Sequence, residues 1–474
     1  MGYSLFSKLN SACRTRIQKL FTTATPWINP SPILKWHLDY PSRKNGIKST
    51  HSGLTVQGWV LLQESCEQPV YIIARWSPSF DTCHQVNTKR QDVVRAMQER
   101  IPSASKQSHC GFSFTVPYSA GKIELFLRVN DNEWPLQVIE ASHPHHVSHA
   151  LKVLKGKQGW LFLDNDTNNS VDQFTGKVRL TPLSLNKWNL YFQEMETLAK
   201  KHSQHYAMLI APSKESVVGA KYHPQKEGLS PVTQVVQLAP PSLLVYPLAE
   251  LKKQGDTSYF KSDTHWSHKG ALTATIELAT RLGIEKSTLE QLFCNDVYQD
   301  LVKGGDLGNK LTPKVTCRTE VLKSFNYRKS VIYDNGLPNI GRIIIFANKS
   351  APIKEICLTF GSSSSYSMFS YLSRIFESYI FIHTAGNIDP ELVEKVKPDY
   401  LVTQTNARFV VQAPTVEYSV SQAIREKITS LSKEEKSKTI KNRLNNNKET
   451  LRRLQLDHLE ECFLSEFNNK LEFE

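Results

Sequence analysis

The chain has no hydrophobic run near the roughly 20 residues that a membrane-spanning helix needs, so we expect no transmembrane segment. Its N-terminus carries no apolar stretch typical of a signal peptide, because Lys8, Arg14, Arg16 and Lys19 interrupt it. None of the eight cysteines forms a Cys-x-x-Cys pair, which predicts free thiols rather than a disulfide framework. Together these absences predict a cytoplasmic protein that could also lie peripherally at the inner membrane.

Metal-binding and nucleic-acid-binding motifs are also lacking. Cys83 with His84, and His109 with Cys110, are adjacent pairs with poor ligand geometry for zinc, and we expect no metal site. There is no zinc finger and no aromatic RNA-binding strand, so we expect no nucleic-acid partner. The 58 lysines and arginines outnumber 45 acidic residues, and the net charge of +13 favours an anionic glycan, an acidic substrate or a membrane surface.

The length and composition predict several folded segments. At 474 residues and 40% hydrophobic composition, the chain can form roughly two to four compact units. The pattern divides into an amphipathic N-terminal arm (1–34), a β-sandwich accessory domain (35–142), an α/β catalytic domain (150–415) and a basic helical tail (416–474). The arm could dock on the protein itself or lie on a membrane surface, in association with a biosynthetic complex.

The segment 35–142 alternates apolar and polar residues as β-strands do. Phe112, Phe114 and Val116 alternate with polar neighbours, and a turn beginning at Asn130 separates two further alternating stretches. Short strands at this spacing predict a small β-sandwich, which either binds glycan or braces the next domain.

From 150 to 415 the pattern changes to strands alternating with helices. The apolar run 356–360 predicts a buried strand, and Ser267 is a suitable N-cap for a helix that ends at Gly283. This alternation predicts an α/β fold with a parallel sheet flanked by helices.

The tail 416–474 combines positive charge with a partial apolar stripe. The stripe predicts that the tail packs on the core or dimerises, and it is formed by Leu451, Leu454, Leu459 and Phe463. The charge is typical of a solvated helix face, and it could also hold a polyanion. The basic residues are Lys436, Lys438, Lys441, Arg443, Lys448, Arg452 and Arg453.

The α/β segment contains the residue types that acyl transfer needs. Asp263 and His265 are two residues apart, so their side chains share one face of an extended backbone. The serines of 362–365 follow a strand, where open parallel sheets collect their catalytic groups, and Gly361 permits close approach. A serine nucleophile needs a base, and the base needs an orienting carboxylate. The alternatives are an ordinary polar loop at the serines and a surface loop at the histidine.

Several short motifs occur in a recognisable order between about residues 150 and 412. They lie at 157–163, 164–166, 175–176, 212–215, 259–270, 343–348, 360–363 and 397–402. In this order they resemble the SGNH-hydrolase-like domain of the alginate O-acetyltransferase family. The resemblance implies an SGNH-like parallel sheet flanked by helices.

By this resemblance Ser363 is the nucleophile, His265 the general base and Asp263 the acid that orients it. Gly361 and Ser363 would stabilise an oxyanion. The chain order of aspartate, histidine and serine differs from that of usual SGNH hydrolases, but geometry rather than order defines a triad. Ser362 stands where many family members carry aspartate.

The family-like context also implies four residues near the substrate, which are Lys214, Asn348, Gln404 and Arg408. The implied activity is a polysaccharide O-acetyltransferase that acts through an acyl-serine intermediate on a capsule or exopolysaccharide hydroxyl. We expect no bound cofactor, and a cytoplasmic enzyme could take acetyl groups from acetyl-CoA. A carbohydrate acetylesterase and a non-catalytic glycan-binding or scaffold protein are the alternatives.

Overall fold

The chain divides into two compact units in the computed structural model, Met1–Trp76 with Cys83–His143 and Ser77–Thr82 with Pro144–Glu474. The structure describes residues 30–46, 49–50, 53–64, 66, 68–77, 79–116, 122–140, 153–166, 168–445 and 448–471. Positions 1–29 of the predicted N-terminal arm lie outside the described residues.

The first unit is built from antiparallel β-strands. Its elements are β1 (Ile33–Tyr40), β2 (Ser49–Thr50), β3 (Gly53–Leu62), β4 (Val70–Arg75), the end of β5 (Phe80–Gln85), α1 (Gln91–Met97), β6 (Gly111–Val116), β7 (Lys122–Val129) and β8 (Asn132–Glu140). One sheet pairs β3 with β1, β2 and β6, and the other pairs β7 with β4 and β8. Residues of both sheets, among them Val56, Ile72 and Leu125, share one hydrophobic cluster. This β-rich region is consistent with the prediction for 35–142.

The second unit alternates strands and helices. Its strands are β9 (Val153–Lys155), β10 (Leu161–Leu163), β11 (Val178–Leu180), β12 (His205–Ala211), β13 (Leu244–Val245), β14 (Tyr298–Lys303), β15 (Cys317–Leu322), β16 (Val331–Asp334), β17 (Ile343–Ala347), β18 (Ile353–Gly361), β19 (Phe376–His383), β20 (Tyr400–Asn406) and β21 (Leu444–Asn445). Its helices are α2 (Ser170–Thr175), α3 (Pro182–His202), α4 (Lys214–Val217), α5 (Pro231–Leu238), α6 (Leu248–Gln254), α7 (His268–Arg281), α8 (Lys286–Phe293), α9 (Ser365–Ile375), α10 (Pro390–Val396), α11 (Val420–Ser430), α12 (Lys433–Asn442), α13 (Lys448–Arg453) and α14 (Asp457–Leu471). Ser267 caps α7 by accepting from the N–H of Gly270, as the sequence predicts.

An eight-stranded sheet in the order β13-β12-β20-β18-β19-β17-β16-β21 forms the centre of this unit. The first five strands run parallel, whereas β17, β16 and β21 run antiparallel to their neighbours. The sheet is therefore mixed rather than wholly parallel. One cause is the short connection 335–342 between β16 and β17, because a parallel crossover needs roughly a dozen residues or more.

Both faces of the central sheet are buried. Along β12, Met208 and Ile210 belong to one hydrophobic cluster, and Ala207 and Leu209 belong to another. This alternation follows the two-residue period of a strand, so helices cover each face. Among the described residues, no helix is both long enough and apolar enough to cross a bilayer.

The C-terminal helices pack on the same unit. Leu451, Leu459 and Phe463 of the predicted apolar stripe are buried in the cluster that contains Met208. The hydroxyl of Tyr333 on β16 donates to the carboxylate of Glu460 on α14 at 2.8 Å. The stripe therefore contributes to the core of the α/β unit.

Candidate active site

The serine turn lies where β18 ends and α9 begins. Ser363 is half-buried, while Gly361 and Ser362 are buried. A Cβ atom on Gly361 would lie 2.6 Å from Ser365 Oγ and 2.7 Å from the ring of Phe381, so this position requires glycine. Because the turn directly follows β18, it lies at the carboxyl edge of the parallel strands, where ligand sites of open α/β sheets form.

The structure brings Ser363, His265 and Asp263 into one hydrogen-bonded line. His265 Nε2 lies 3.0 Å from Ser363 Oγ, and His265 Nδ1 lies 2.7 Å from Asp263 Oδ1. Because an ionised carboxylate only accepts hydrogen bonds, Nδ1 carries the proton, and Nε2 is left to accept from the serine hydroxyl. This arrangement matches the geometry of a serine nucleophile with its base and orienting acid.

Local hydrogen bonds fix the carboxylate of Asp263. Its Oδ1 also accepts from the N–H of His265 at 2.9 Å, and its Oδ2 accepts from the N–H of Asp306 at 3.1 Å. Burial acts to raise the pKa of Asp263, but the hydrogen bonds and charge of His265 outweigh it and lower that pKa. Asp263 therefore remains ionised beside the imidazole.

Asp306 is a second carboxylate at this site that the sequence did not reveal. Its oxygens accept from the N–H of Thr264 at 2.7 Å and from the Thr264 hydroxyl. Burial, and then the charge of Asp263, raise the pKa of Asp306. Asp263, His265 and Asp306 each offer a ligand atom within 4.8 Å of the others, which is a spacing a metal ion could use. Hydrogen bonds already engage these atoms, which supports the triad interpretation.

Two of the four predicted substrate residues are buried and fully engaged. Gln404 is 1% exposed, and its Oε1 accepts from the Ser362 N–H at 2.8 Å and from the Ser365 hydroxyl at 2.9 Å. Lys214 is 4% exposed, and three main-chain carbonyls accept from its Nζ. Lys214 lines the cavity beside His265 and Gln404 does not. Neither side chain has a free polar atom for a substrate, and direct substrate contact stays a prediction for both.

The other two predicted residues lie far apart. Asn348 follows β17, pairs with the carbonyl of Ser373 at 3.1 Å and does not line the cavity beside His265. Because β17 runs antiparallel to β19, its carboxyl end lies at the opposite edge of the sheet, which corrects the prediction for Asn348. Arg408 follows β20 and lines the cavity beside His265.

The cavity beside His265 has a volume of about 50 Å³. Apolar residues form part of its wall, and Glu215, Asn406 and Arg408 contribute polar groups. Burial raises the pKa of Glu215. The Nε atom of Arg408 is buried and has no hydrogen-bond partner among the described residues. His265 and Arg408 therefore line the same cavity.

Asn406 is a further residue that the sequence did not single out. Its Oδ1 accepts from Ser362 Oγ at 3.2 Å and from Gln404 Nε2 at 3.1 Å. With the oxygen engaged, its amide N–H groups remain for the cavity that Asn406 lines. Its position as the last residue of β20, beside β18 in the sheet, is the signal that could have identified it.

The fold and the site together define an α/β domain with a serine, histidine and aspartate aligned at the carboxyl edge of its sheet. Residues 153–330 match the family model of the SGNH hydrolase-like domain of acetyltransferase AlgX, which confirms the resemblance inferred from the motifs. The match supports acyl or acetyl transfer in general. It includes Asp263, His265 and Asp306 and ends before Ser363. No curated protein matches the chain.

Three solved structures are similar to a little over half of the chain. Bacillus cereus PatB1 is 11% identical over 55% of this chain and 97% of its own, with a TM-score of 0.40. A DHHW family protein from Eubacterium siraeum is 13% identical over 55% and 95%, with a TM-score of 0.37. The O-acetyltransferase domain of Pseudomonas putida AlgJ is 16% identical over 59% and 99%, with a TM-score of 0.32.

Proposed function

We propose that this protein is a polysaccharide O-acetyltransferase that works through an acetyl-Ser363 intermediate. The observation that supports this most directly is the continuous line of hydrogen bonds from Asp263 through His265 to Ser363, at 2.7 and 3.0 Å. A serine hydroxyl becomes a good nucleophile only with such a base in contact. Ser363 is half-buried, so part of the residue is accessible to solvent.

The first half-reaction transfers the acetyl group to the serine. His265 Nε2 takes the proton of the Ser363 hydroxyl as its oxygen attacks the acetyl carbonyl. The amide N–H of Asn406, with main-chain N–H groups at Gly361 and Ser363, would stabilise the negative oxygen. The tetrahedral species then collapses, the bond to the leaving group breaks, and that group takes the proton from His265. We propose acetyl-CoA as the donor, with its thiol as the leaving group.

The second half-reaction delivers the acetyl group to a sugar. His265 removes the proton of a sugar hydroxyl, whose oxygen attacks the carbonyl of acetyl-Ser363. The new ester forms, the bond to Ser363 Oγ breaks, and the serine oxygen regains a proton from His265. Asp263 orients the ring and stabilises the imidazolium in both steps without accepting the proton itself.

The acceptor in this proposal is an anionic capsule or exopolysaccharide glycan, bound in the cytoplasm or at the inner membrane. Arg408 lines the cavity beside His265, and its Nε has no partner among the described residues. A guanidinium can bind a carboxylate or phosphate through two parallel hydrogen bonds. The net charge of +13 would raise the local concentration of such a polymer.

The experiment that tests the proposal is mass spectrometry of candidate glycans after incubation with acetyl-CoA and the protein. We expect an added acetyl group on the glycan with wild-type protein and none with Ser363→Ala. Release of free acetate without acetylated glycan would identify an esterase. Absence of both products, with no acetyl adduct on Ser363, would favour a non-catalytic glycan-binding or scaffold protein.

A further inference from the structure

Lys214 is a buried lysine whose ammonium group is completely occupied by the main chain. Its Nζ donates to the carbonyl oxygens of Leu161 at 2.7 Å, Lys261 at 2.8 Å and Asp263 at 3.0 Å. An ammonium group has three hydrogen-bond donors, so all of them are used. The side chain is 4% exposed. A substrate could contact Nζ only by displacing one of these carbonyls.

The three carbonyls belong to two separate chain segments, which meet at Lys214 Nζ. Leu161 begins β10, and its N–H donates to the carbonyl of Lys261 at 2.9 Å. Lys261 and Asp263 lie in the irregular segment 261–265, which carries Asp263 and His265 and has neither helix nor strand. Lys214 therefore supplies part of the support that regular secondary structure would otherwise give to this segment.

The surroundings make these three hydrogen bonds difficult to replace. Nζ lies 5.0 Å from the ring centroid of Trp160 and 5.3 Å from that of Phe162, and both rings are buried. Without the ammonium group, the carbonyls of Leu161 and Asp263 would lose this donor, whereas the carbonyl of Lys261 would keep the N–H of Leu161. Leaving a buried carbonyl without a donor is destabilising. The main chain at Asp263 would then shift to recover hydrogen bonds.

We infer that Lys214 is a positioning residue for the catalytic triad, which holds the main chain of Asp263 so that its carboxylate meets His265 Nδ1. The inference rests on the proposed function, because it assigns Lys214 a task in the same acyl-transfer site. It replaces the sequence-based expectation that Lys214 binds substrate. A displacement of about 1 Å in a catalytic group can lower a rate by roughly 10²-fold.

The protonation state of Lys214 adds an alkaline limit to this role. Burial lowers the pKa of Lys214 to about 7, although the charges of Asp263, Asp306, Glu215 and Cys317 act to raise it. Above that pH the neutral amine has only two N–H donors for three carbonyls. Activity should therefore decline as pH rises through the titration of Lys214.

The test compares Lys214→Met and Lys214→Arg with wild type and with Lys252→Met, which removes an exposed lysine of α6. Each protein is assayed for the rate of Ser363 modification by phenylmethylsulfonyl fluoride and for hydrolysis of 4-nitrophenyl acetate. We expect Lys214→Met to lower both the labelling rate and kcat by about 10²-fold, with little change in KM. Lys252→Met should behave as wild type.

Lys214→Arg keeps a charge that does not titrate in this range, so any activity it retains should lose the alkaline decline. If Lys214→Met does not fold, the pH profile of Lys214→Arg decides. An unchanged alkaline limb in that variant would overturn the inference. A folded Lys214→Met protein with normal kcat would also overturn the inference. A variant in which only KM rises would do the same, because that result would indicate that Lys214 binds substrate.

A readout that does not depend on catalysis separates this inference from the proposed function. The Nδ1 proton of His265, shared with Asp263, should give a low-field NMR signal that is lost in Lys214→Met and kept in Lys252→Met. If wild-type Ser363 cannot be labelled and no acetyl transfer occurs, the proposed function fails, and this signal still tests the positioning. Persistence of the signal in Lys214→Met would refute the positioning role of Lys214.

Discussion

Trp266, the residue after His265, donates its indole N–H to the carbonyl oxygen of Ser364, the residue after Ser363, at 2.9 Å. His265 and Ser363 are 98 positions apart in the sequence. Trp266 is 1% exposed and Ser364 is 7% exposed, so this hydrogen bond lies in the interior. It connects the histidine segment to the serine turn at the residues next to His265 and Ser363.

Replacing Trp266 by phenylalanine should therefore affect both stability and catalysis. The substitution keeps an aromatic ring but leaves the buried Ser364 carbonyl without its donor, which should lower the free energy of unfolding by roughly 1–3 kcal/mol. We expect kcat for acetyl-ester hydrolysis to fall by about tenfold or more, with little change in KM, because only the alignment of His265 and Ser363 changes.

Trp188→Phe is a matched control for this prediction. The indole N–H of Trp188 donates to the carbonyl of Val410 at 2.8 Å, and Trp188 is fully buried. Chemical denaturation should show a comparable loss of stability in both variants, whereas kcat should fall only in Trp266→Phe. Equal kcat values in the two variants would argue against the aligning role of Trp266.

The four neighbouring serines should differ sharply in their importance. Ser363→Ala removes the hydroxyl in contact with His265, and loss of a triad member lowers rates by several orders of magnitude, about 10⁴-fold or more. Ser365→Ala removes a buried hydrogen bond to Gln404 and should lower stability more than kcat. Ester hydrolysis by purified variants measures both effects, and wild-type activity in Ser363→Ala would exclude Ser363 as the nucleophile.

The acid side of the pH–activity profile should report the histidine. His265 must be neutral to accept a proton, so kcat/KM should rise as the pH increases from the acid side. The lowered pKa of Asp263 keeps that carboxylate ionised over the same range, so it adds no step there. His265→Ala should lose the rise together with most of the activity. A residual activity with the same acid limb would assign the base to another residue.

The sequence predicts the parts of the site that are local and misses those that depend on strand direction or on burial. Asp263 and His265 are identified by a spacing of two residues, and the serine turn by the strand that precedes it. Asn348 was misplaced because a short apolar run does not reveal that β17 runs antiparallel. Asp306 lies 43 positions after Asp263, on a loop with no periodic pattern, so only the fold brings them together.

The C-terminal tail illustrates the same limit. Its sequence predicts either a solvated basic face or a surface that binds a polyanion. From the sequence alone, the direct test of polyanion binding would be to delete the residues after about 420. In the structure, Ile424, Leu459 and Phe463 are buried in the core of the α/β unit. Deletion should therefore unfold that unit, and circular dichroism with thermal melting would measure it. A truncated protein with wild-type melting behaviour would contradict this expectation.

Charge substitutions can test the tail without disturbing its packing. Lys438, Lys441, Arg452 and Arg453 are exposed, so changing all four to glutamine should leave the fold intact. If these charges attract an anionic glycan, the variant should bind it several-fold more weakly at low salt and with a shallower dependence on ionic strength. Raising the salt concentration should bring the glycan affinity of the wild type toward that of the variant, because exposed charges act through screened attraction.

Hydrolysis of a small acetyl ester by the variant should remain at the wild-type rate, since the triad is untouched. Unchanged glycan affinity and unchanged salt dependence in the folded variant would leave these residues as a solvated helix surface.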